Sequence, residues 1–242
     1  VTHETRSAYE LFAPFYDAVN GEPEDRIHDI LGLIDTFAPT AASVLELGCG
    51  TGAVLAGLGD HLRLAGVDFS PAMLDVARRR VPRGTFTLAD ITSFALPDTF
   101  DVVISVLDTL NHVTTVEGWR AVFAAVAAHL VPGGIFLFDV NTVGRMASLD
   151  EMAPWVHDFG DNTLVMSLSY EAPFAHWDIR VFEHLDDDIY RCRQGRITEL
   201  ALTLEEICGL AAENFEVLTT NDTEGNAASD EAPRALFALR RR

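Results

Sequence analysis

Three glycines spaced two apart, Gly48, Gly50 and Gly52, follow directly on an apolar run in VLELGCGTG at 44–52. A main chain stripped of side chains lets a ligand come close and offers it free N–H groups. Asp68 lies about twenty positions further on. At that distance a carboxylate can accept from both hydroxyls of a ribose, and it argues against a 2′-phosphate. Two ligand classes use such a turn with such an acid: dinucleotides and S-adenosylmethionine. The dinucleotide pattern is G-x-G-x-x-G, its last glycine packing helix against strand. Here the spacing is G-x-G-x-G, and Ala53 stands where that last glycine belongs. Glu46, just upstream, would oppose a diphosphate and favour a ligand carrying an ammonium and a sulfonium. A structural turn with no ligand is the bland alternative.

A second group of residues could move protons. His112 titrates near neutral pH and sits just past a fourth apolar run, where open α/β sheets place their ligand crevice. Asp108 and Asn111 share its loop, and Asp139 and Asn141 end the next strand on the same edge. Their alternatives are packing for His112, turn formation for the asparagines and a helix cap for Asp108. The Asp186-Asp187-Asp188 run reads as a hairpin turn, and no metal site is expected.

These residues need elements to hold them. Helices are expected over 7–19 and 24–38, from 53, from Ser70-Pro71, over 114–130 and over 203–212. Apolar strands are expected at 43–47, 63–67, 85–88, 100–106 and 135–140, with Pro132-Gly133-Gly134 as a turn before the last. Strands that are apolar throughout and alternate with helices predict a parallel sheet covered on both faces. Three further β-like runs between 163 and 200 predict an antiparallel meander, and strands at 215–220 and 235–239 close the chain. The expected organisation is one domain over 1–242, with a helical cap at about 1–40 and the meander inserted at about 145–200.

Composition narrows the function. The 242 residues are 48% hydrophobic, enough for a sizeable core, and carry a net charge of -20 with every basic residue an arginine. So acidic a chain repels phosphate backbones, which weighs against a nucleic-acid partner. Cys49, Cys192 and Cys208 are odd in number and lack metal spacing, and read as reduced thiols. No apolar run reaches the length of a membrane span. The expectation is a soluble cytoplasmic protein.

In order and spacing, the segments ELGCGTG (46–52), GVDFSPAMLDVARRR (66–80), LADITSF (88–94), DVVISVLDTLNHV (101–113) and LVPGGIFLFDV (130–140) resemble those of the class I S-adenosylmethionine-dependent methyltransferases. Within that family the chain is similar to short stand-alone bacterial enzymes with an inserted β-meander, such as amino-sugar N-methyltransferases and glycine N-methyltransferase. The resemblance implies a Rossmann-like α/β sheet of seven strands in the order 3-2-1-4-5-7-6. It implies methyl transfer from S-adenosylmethionine, yielding S-adenosylhomocysteine, to an oxygen or nitrogen of a small molecule. It also implies that Gly48, Gly50, Gly52 and Glu46 hold the methionine end and Asp68 the ribose. Phe69 and Met73 would flank the adenine, with Ala89, Asp90 and Ile91 reading its amino group. Leu107 would lie near the methionine amine, and Tyr16 and Tyr9 would close over the sulfonium. His112, Tyr16 and Asp108 are then the catalytic candidates. Asn111, His112, Asp139, Asn141, Trp155, Trp177 and Arg180 are the candidates for contact with the acceptor. The expected assembly is a monomer or homodimer. The rivals are a nicotinamide-dependent oxidoreductase, a non-catalytic S-adenosylmethionine sensor and, against the charge, a tRNA methyltransferase.

Overall fold

The computed structural model describes residues 2–242. Val1, the first residue of the expected cap, lies outside them. The Thr2 hydroxyl caps α1 (His3–Phe12), which is followed by α2 (Tyr16–Asn20) and α3 (Glu24–Phe37). The helix expected over 7–19 is thus two helices. Pro14 lies between them, and a proline has no N–H for the turn behind it.

The next elements alternate: β1 (Ser43–Leu47), α4 (Ala53–Gly57), β2 (Arg63–Asp68), α5 (Pro71–Arg80), β3 (Thr85–Leu88), β4 (Phe100–Ser105), α6 (Val116–His129) and β5 (Leu130–Asn141). Ser70 caps α5 by accepting from Met73 N, and Thr115 caps α6. After β5 come α7 (Val143–Asp150), β6 (Trp155–Phe159), β7 (Asn162–Glu171), β8 (Phe174–Asp186) and β9 (Ile189–Leu200). The chain closes with α8 (Leu204–Ala211), β10 (Phe215–Asn221) and β11 (Arg234–Arg241).

Among the described residues, seven strands form one sheet in the order β10-β11-β5-β4-β1-β2-β3. β11 runs antiparallel to β5 and β10, and the other neighbours are parallel. This is the expected class I order. Successive residues of β4 explain the two-sided core. Val102 and Ile104 pack with Ile30 and Ile34 of α3, Leu55 of α4 and Leu74 of α5. Val103 points the other way, toward Trp119 and Phe123 of α6 and Ile207 of α8. The strand order turns between β1 and β4, so a crevice opens beyond their C-terminal ends.

The second sheet is antiparallel, in the order β6-β7-β8-β9. It has four strands where sequence patterning predicts three, and α7 precedes it. β6 escapes the pattern because it is an edge strand whose Trp155 and Val156 stay exposed. α7 escapes because Gly144 sits inside it; a Cβ there would lie 2.7 Å from the Asp230 carbonyl oxygen, so close packing demands the glycine. β5 takes in the expected turn at 132–134, with a register shift against β4 at Phe100/Val102. α1 locks the meander to the main sheet. Ala8 packs so tightly on Gly195 that a Cβ on that glycine would come within 2.8 Å, and Thr198 N–H donates to the Thr5 hydroxyl at 3.1 Å. Tyr9, between Ala8 and Glu10 on α1, is thereby fixed over the crevice.

Candidate active site

The elbow after β1 is held by its glycines in different ways. Gly48 has φ 66°, and a Cβ on it would strike Thr109 Cγ2 at 2.4 Å. Gly50 has φ 49° and open space where a side chain would be. Its N–H donates to Asp68 Oδ2 at 2.9 Å. Gly52 faces away and packs on Ala77 of α5.

A cavity opens on this elbow. It is lined by Glu46, Gly48, Gly50, Asp68, Phe69, Met73, Ile91, Leu107, Tyr9, Tyr16 and His112, all expected from sequence. Cys49, Thr51, Ala53, Val54, Val106 and Thr109 line it too. Neighbours of a glycine turn and of a strand end carry no signal of their own, so these six were not legible.

Two carboxylates face the cavity. Asp68, 6% exposed, accepts from Ser70 N at 2.8 Å and from Gly50 N, one bond to each oxygen. Each oxygen keeps a second acceptor site. Burial raises its pKa, opposed by the Ser70 and Gly50 N–H groups. Glu46 is 3% exposed, and its Oε2 has no hydrogen-bond partner. Burial, with Asp68 adding repulsion, pushes its pKa well above the usual carboxylate value. A buried acid with an empty oxygen is poised for a cation.

His112 and Tyr9 form a proton path. His112 Nδ1 lies 3.0 Å from the Asp108 carbonyl oxygen, an acceptor, so that nitrogen carries the proton. Nε2 then accepts from the Tyr9 hydroxyl at 2.8 Å. Burial lowers the His112 pKa, keeping the ring neutral.

Leu107 and Asp108 both adopt positive φ, 58° and 55°, uncommon for side-chain-bearing residues. A buried ion network holds them there. Asp108 N–H donates to Asp139 Oδ1 at 2.8 Å, and Arg234 bridges Asp139 and Asp108 at 2.8 and 2.7 Å. Arg26 from α3 meets Asp139 Oδ2 at 3.0 Å.

A second, larger cleft adjoins the first and shares Tyr9, Tyr16, Ala53 and Leu107 with it. Asp108, Asn141 and Trp177 line it as expected, joined by Arg26, Arg145, Glu199 and Arg234. The cleft is thus built from the cap, two strand ends and the meander.

Several expected site residues lie elsewhere. Gly52, Ala89 and Asp90 do not line the cavity; the Asp90 carboxylate caps the Thr92 N–H and pairs with Arg6. Asn111 is buried and saturated, donating to the Asn141 and Leu200 carbonyls and accepting from Asn141 N. It ties β5 to β9. Asp139, 0% exposed, is held in ion pairs by Arg26 and Arg234, with only its Oδ1 hydrogen-bonded. Trp155 is 45% exposed on edge strand β6, and Arg180 lines a groove on the outer side of α1. Neither lines the cavity or the adjoining cleft.

A family model described as a methyltransferase domain matches residues 44–134. The dTDP-4-amino-2,3,4,6-tetradeoxy-D-glucose N,N-dimethyltransferase of Saccharopolyspora spinosa is 30% identical over 97% of this chain and 90% of its own. Among solved structures, S-adenosylmethionine-bound CalS10, an amino pentose methyltransferase from Micromonospora echinaspora, is 25% identical and covers 96% of this chain and 97% of its own, with TM-score 0.78. An S-adenosylmethionine-dependent methyltransferase from Clostridium acetobutylicum shares the fold at TM-score 0.84 and 21% identity, covering 96% of this chain and 98% of its own.

Proposed function

This chain belongs to the class I S-adenosylmethionine-dependent methyltransferases, and on that premise we propose that it methylates the amino nitrogen of a small molecule of the amino-sugar kind. It is a transferase acting on a small-molecule oxygen or nitrogen, with S-adenosylmethionine as cofactor. Membership leaves the nicotinamide and sensor readings without support. The choice of nitrogen over oxygen rests on the proton path and on the relatives' printed activities.

The cavity suits the cofactor. Glu46 offers an unpartnered buried oxygen, Asp68 two acceptor positions and Gly50 an open main chain. Glu46 would face the positive end, Asp68 the ribose hydroxyls, and Phe69, Met73 and Ile91 the adenine. Bound there, the cofactor supplies a methyl group already activated on a sulfonium. The protein's share is alignment, which can supply roughly 7–11 kcal/mol of the barrier, and removal of one proton. The acceptor enters as an ammonium and gives that proton to the Tyr9 oxygen as Tyr9 passes its own to His112 Nε2, leaving the neutral amine. The freed lone pair then forms the N–C bond while the C–S bond breaks and its electrons stay on sulfur. Tyr16 and Leu107, which line both spaces, would exclude water at the junction.

One observation carries this reading: a neutral histidine with its basic nitrogen turned to the boundary of two adjoining cavities. The net charge of -20 favours a small acceptor over a nucleic acid. The test uses S-adenosylmethionine labelled in the methyl carbon. It is incubated with free and dTDP-linked amino sugars and with their hydroxyl counterparts. Label on nitrogen is expected; label only on oxygen refutes the assignment.

A further inference from the structure

Glu199 belongs to no part of the cofactor cavity, yet it is the most deeply buried carboxylate lining the second cleft, at 2% exposed. Asn141 Nδ2 reaches one of its oxygens at a long 3.4 Å. Among the described residues the other oxygen accepts no well-aligned hydrogen bond. The Trp177 indole N–H lies close beside it, buried and also without a well-aligned bond. A carboxylate left half-satisfied at such depth costs stability unless a ligand completes it.

Its surroundings say which ligand. One ligand-type atom each of Asp108, His112 and Glu199 lies within 4.8 Å of the others, so the three side chains border one small space. An ammonium takes its acceptors at roughly 2.8 Å, which such a space can supply. A divalent metal at roughly 2.0–2.2 Å would draw its ligands much closer together. The metal reading also fails on occupancy. Arg234 already holds Asp108 Oδ1 at 2.7 Å, and both His112 nitrogens are engaged, by the Asp108 carbonyl and by Tyr9.

We propose that Glu199, with Asp108 and the Tyr9–His112 pair, forms the socket for the acceptor's amino group, and that Glu199 is the residue selecting an amine over a hydroxyl. The inference rests on the N-methylation reading above. His112 lines the cofactor cavity, Asp108 and Glu199 line the second cleft, and Tyr9 lines both. The socket therefore straddles the boundary the reacting nitrogen must occupy. An incoming ammonium donates to Glu199 and to the free oxygen of Asp108 while its third N–H faces Tyr9, the first step of the proton path. A hydroxyl has one proton and no charge, and leaves Glu199 unsatisfied. Burial and the Asp108 carboxylate push the Glu199 pKa up, while Asn141, Arg234 and Trp177 oppose that. The acid thus gains most from a cationic partner.

The test is binding, with S-adenosylhomocysteine present, of dTDP-4-amino-4,6-dideoxy-D-glucose against dTDP-6-deoxy-D-glucose. Wild type should prefer the amine by about tenfold or more. Glu199→Gln should lose that preference, and Glu199→Asp should recover part of it. Glu199→Gln should bind S-adenosylmethionine as wild type does, which also shows that the variant is folded. No amine preference in wild type, absence of binding included, or an undiminished preference in Glu199→Gln overturns the proposal. Failure of wild type to bind S-adenosylmethionine would instead sink the reading beneath it.

Discussion

The cofactor cavity and the acceptor cleft share a wall but differ in how the chain builds them. The floor and walls of the cavity come mainly from β1, β2 and the loops that follow them, within one stretch of the parallel sheet. The cleft takes Arg26 from α3, Asp108 from the β4 loop, Arg145 from α7, Glu199 from β9 and Arg234 from β11. The first depends on local backbone geometry. The second depends on ion pairs between segments far apart in sequence. Each can therefore be damaged while the other survives.

The largest separation should come from His112→Ala. Loss of a positioned base lowers kcat by about 10²- to 10⁴-fold, while calorimetry should find the affinity for S-adenosylmethionine much less changed. A parallel collapse of cofactor binding would show that the two regions are not separable. Asp139→Ala strikes the ion network instead. It removes the partner that Arg26 and Arg234 share, leaving them Asp29 and Asp108, and should cost about 1.5–3 kcal/mol in denaturant unfolding. A loss under about 1 kcal/mol would mean that the network does not hold the strained Leu107-Asp108 pair. In the cavity, Asp68→Ala should weaken S-adenosylmethionine binding by about tenfold or more without altering acceptor preference. Unchanged affinity would remove Asp68 from the ribose role.

Acidity should act more gently, through His112 on the cavity side of the shared wall. His112 is held below its usual 6.5 by burial. The neutral ring needed for catalysis thus persists above 6.5, and kcat should fall only in more acid solution. The sign for stability agrees. Between the lowered value and 6.5 the unfolded chain binds more protons, so this group's contribution to stability declines as pH falls. A kcat profile that rises through pH 8 would contradict a neutral resting histidine. Smallest of all, Trp155→Ala and Arg180→Ala should change kcat/KM little, because both side chains lie outside the two spaces.

What the sequence disclosed follows the same division. The elbow, Asp68 and the strand order were legible because glycine spacing, strand ends and helix caps such as Ser70 are local signals. Gly52 and Asp90 show the limit of a motif: both sit in matching segments, but one packs on Ala77 and the other on Arg6. Glu199 was invisible because one acid in the run IYRCRQGRITEL looks like any solvent-facing strand residue. Only folding turns it inward beside Asn141. Asn111 and Asp139 were misread for the same reason, since spacing does not reveal that Leu200 and Arg234 return to meet them. Of the acceptor candidates in the meander, Trp177 lines the cleft and Trp155 does not; strand register puts both on one face, but Trp155 sits on edge strand β6, beyond the cleft.

The central claim, that an elbow backed by two carboxylates receives a positively charged donor, is tested most directly by titrating S-adenosylmethionine in buffers of different ionisation enthalpy. Glu46 is protonated more readily than an ordinary carboxylate when its oxygen is empty. Binding should therefore release a proton from wild type in acid solution, and Glu46→Gln should bind more weakly with no such release. Binding with equal affinity and equal proton balance in both proteins, or no binding at all, would contradict it.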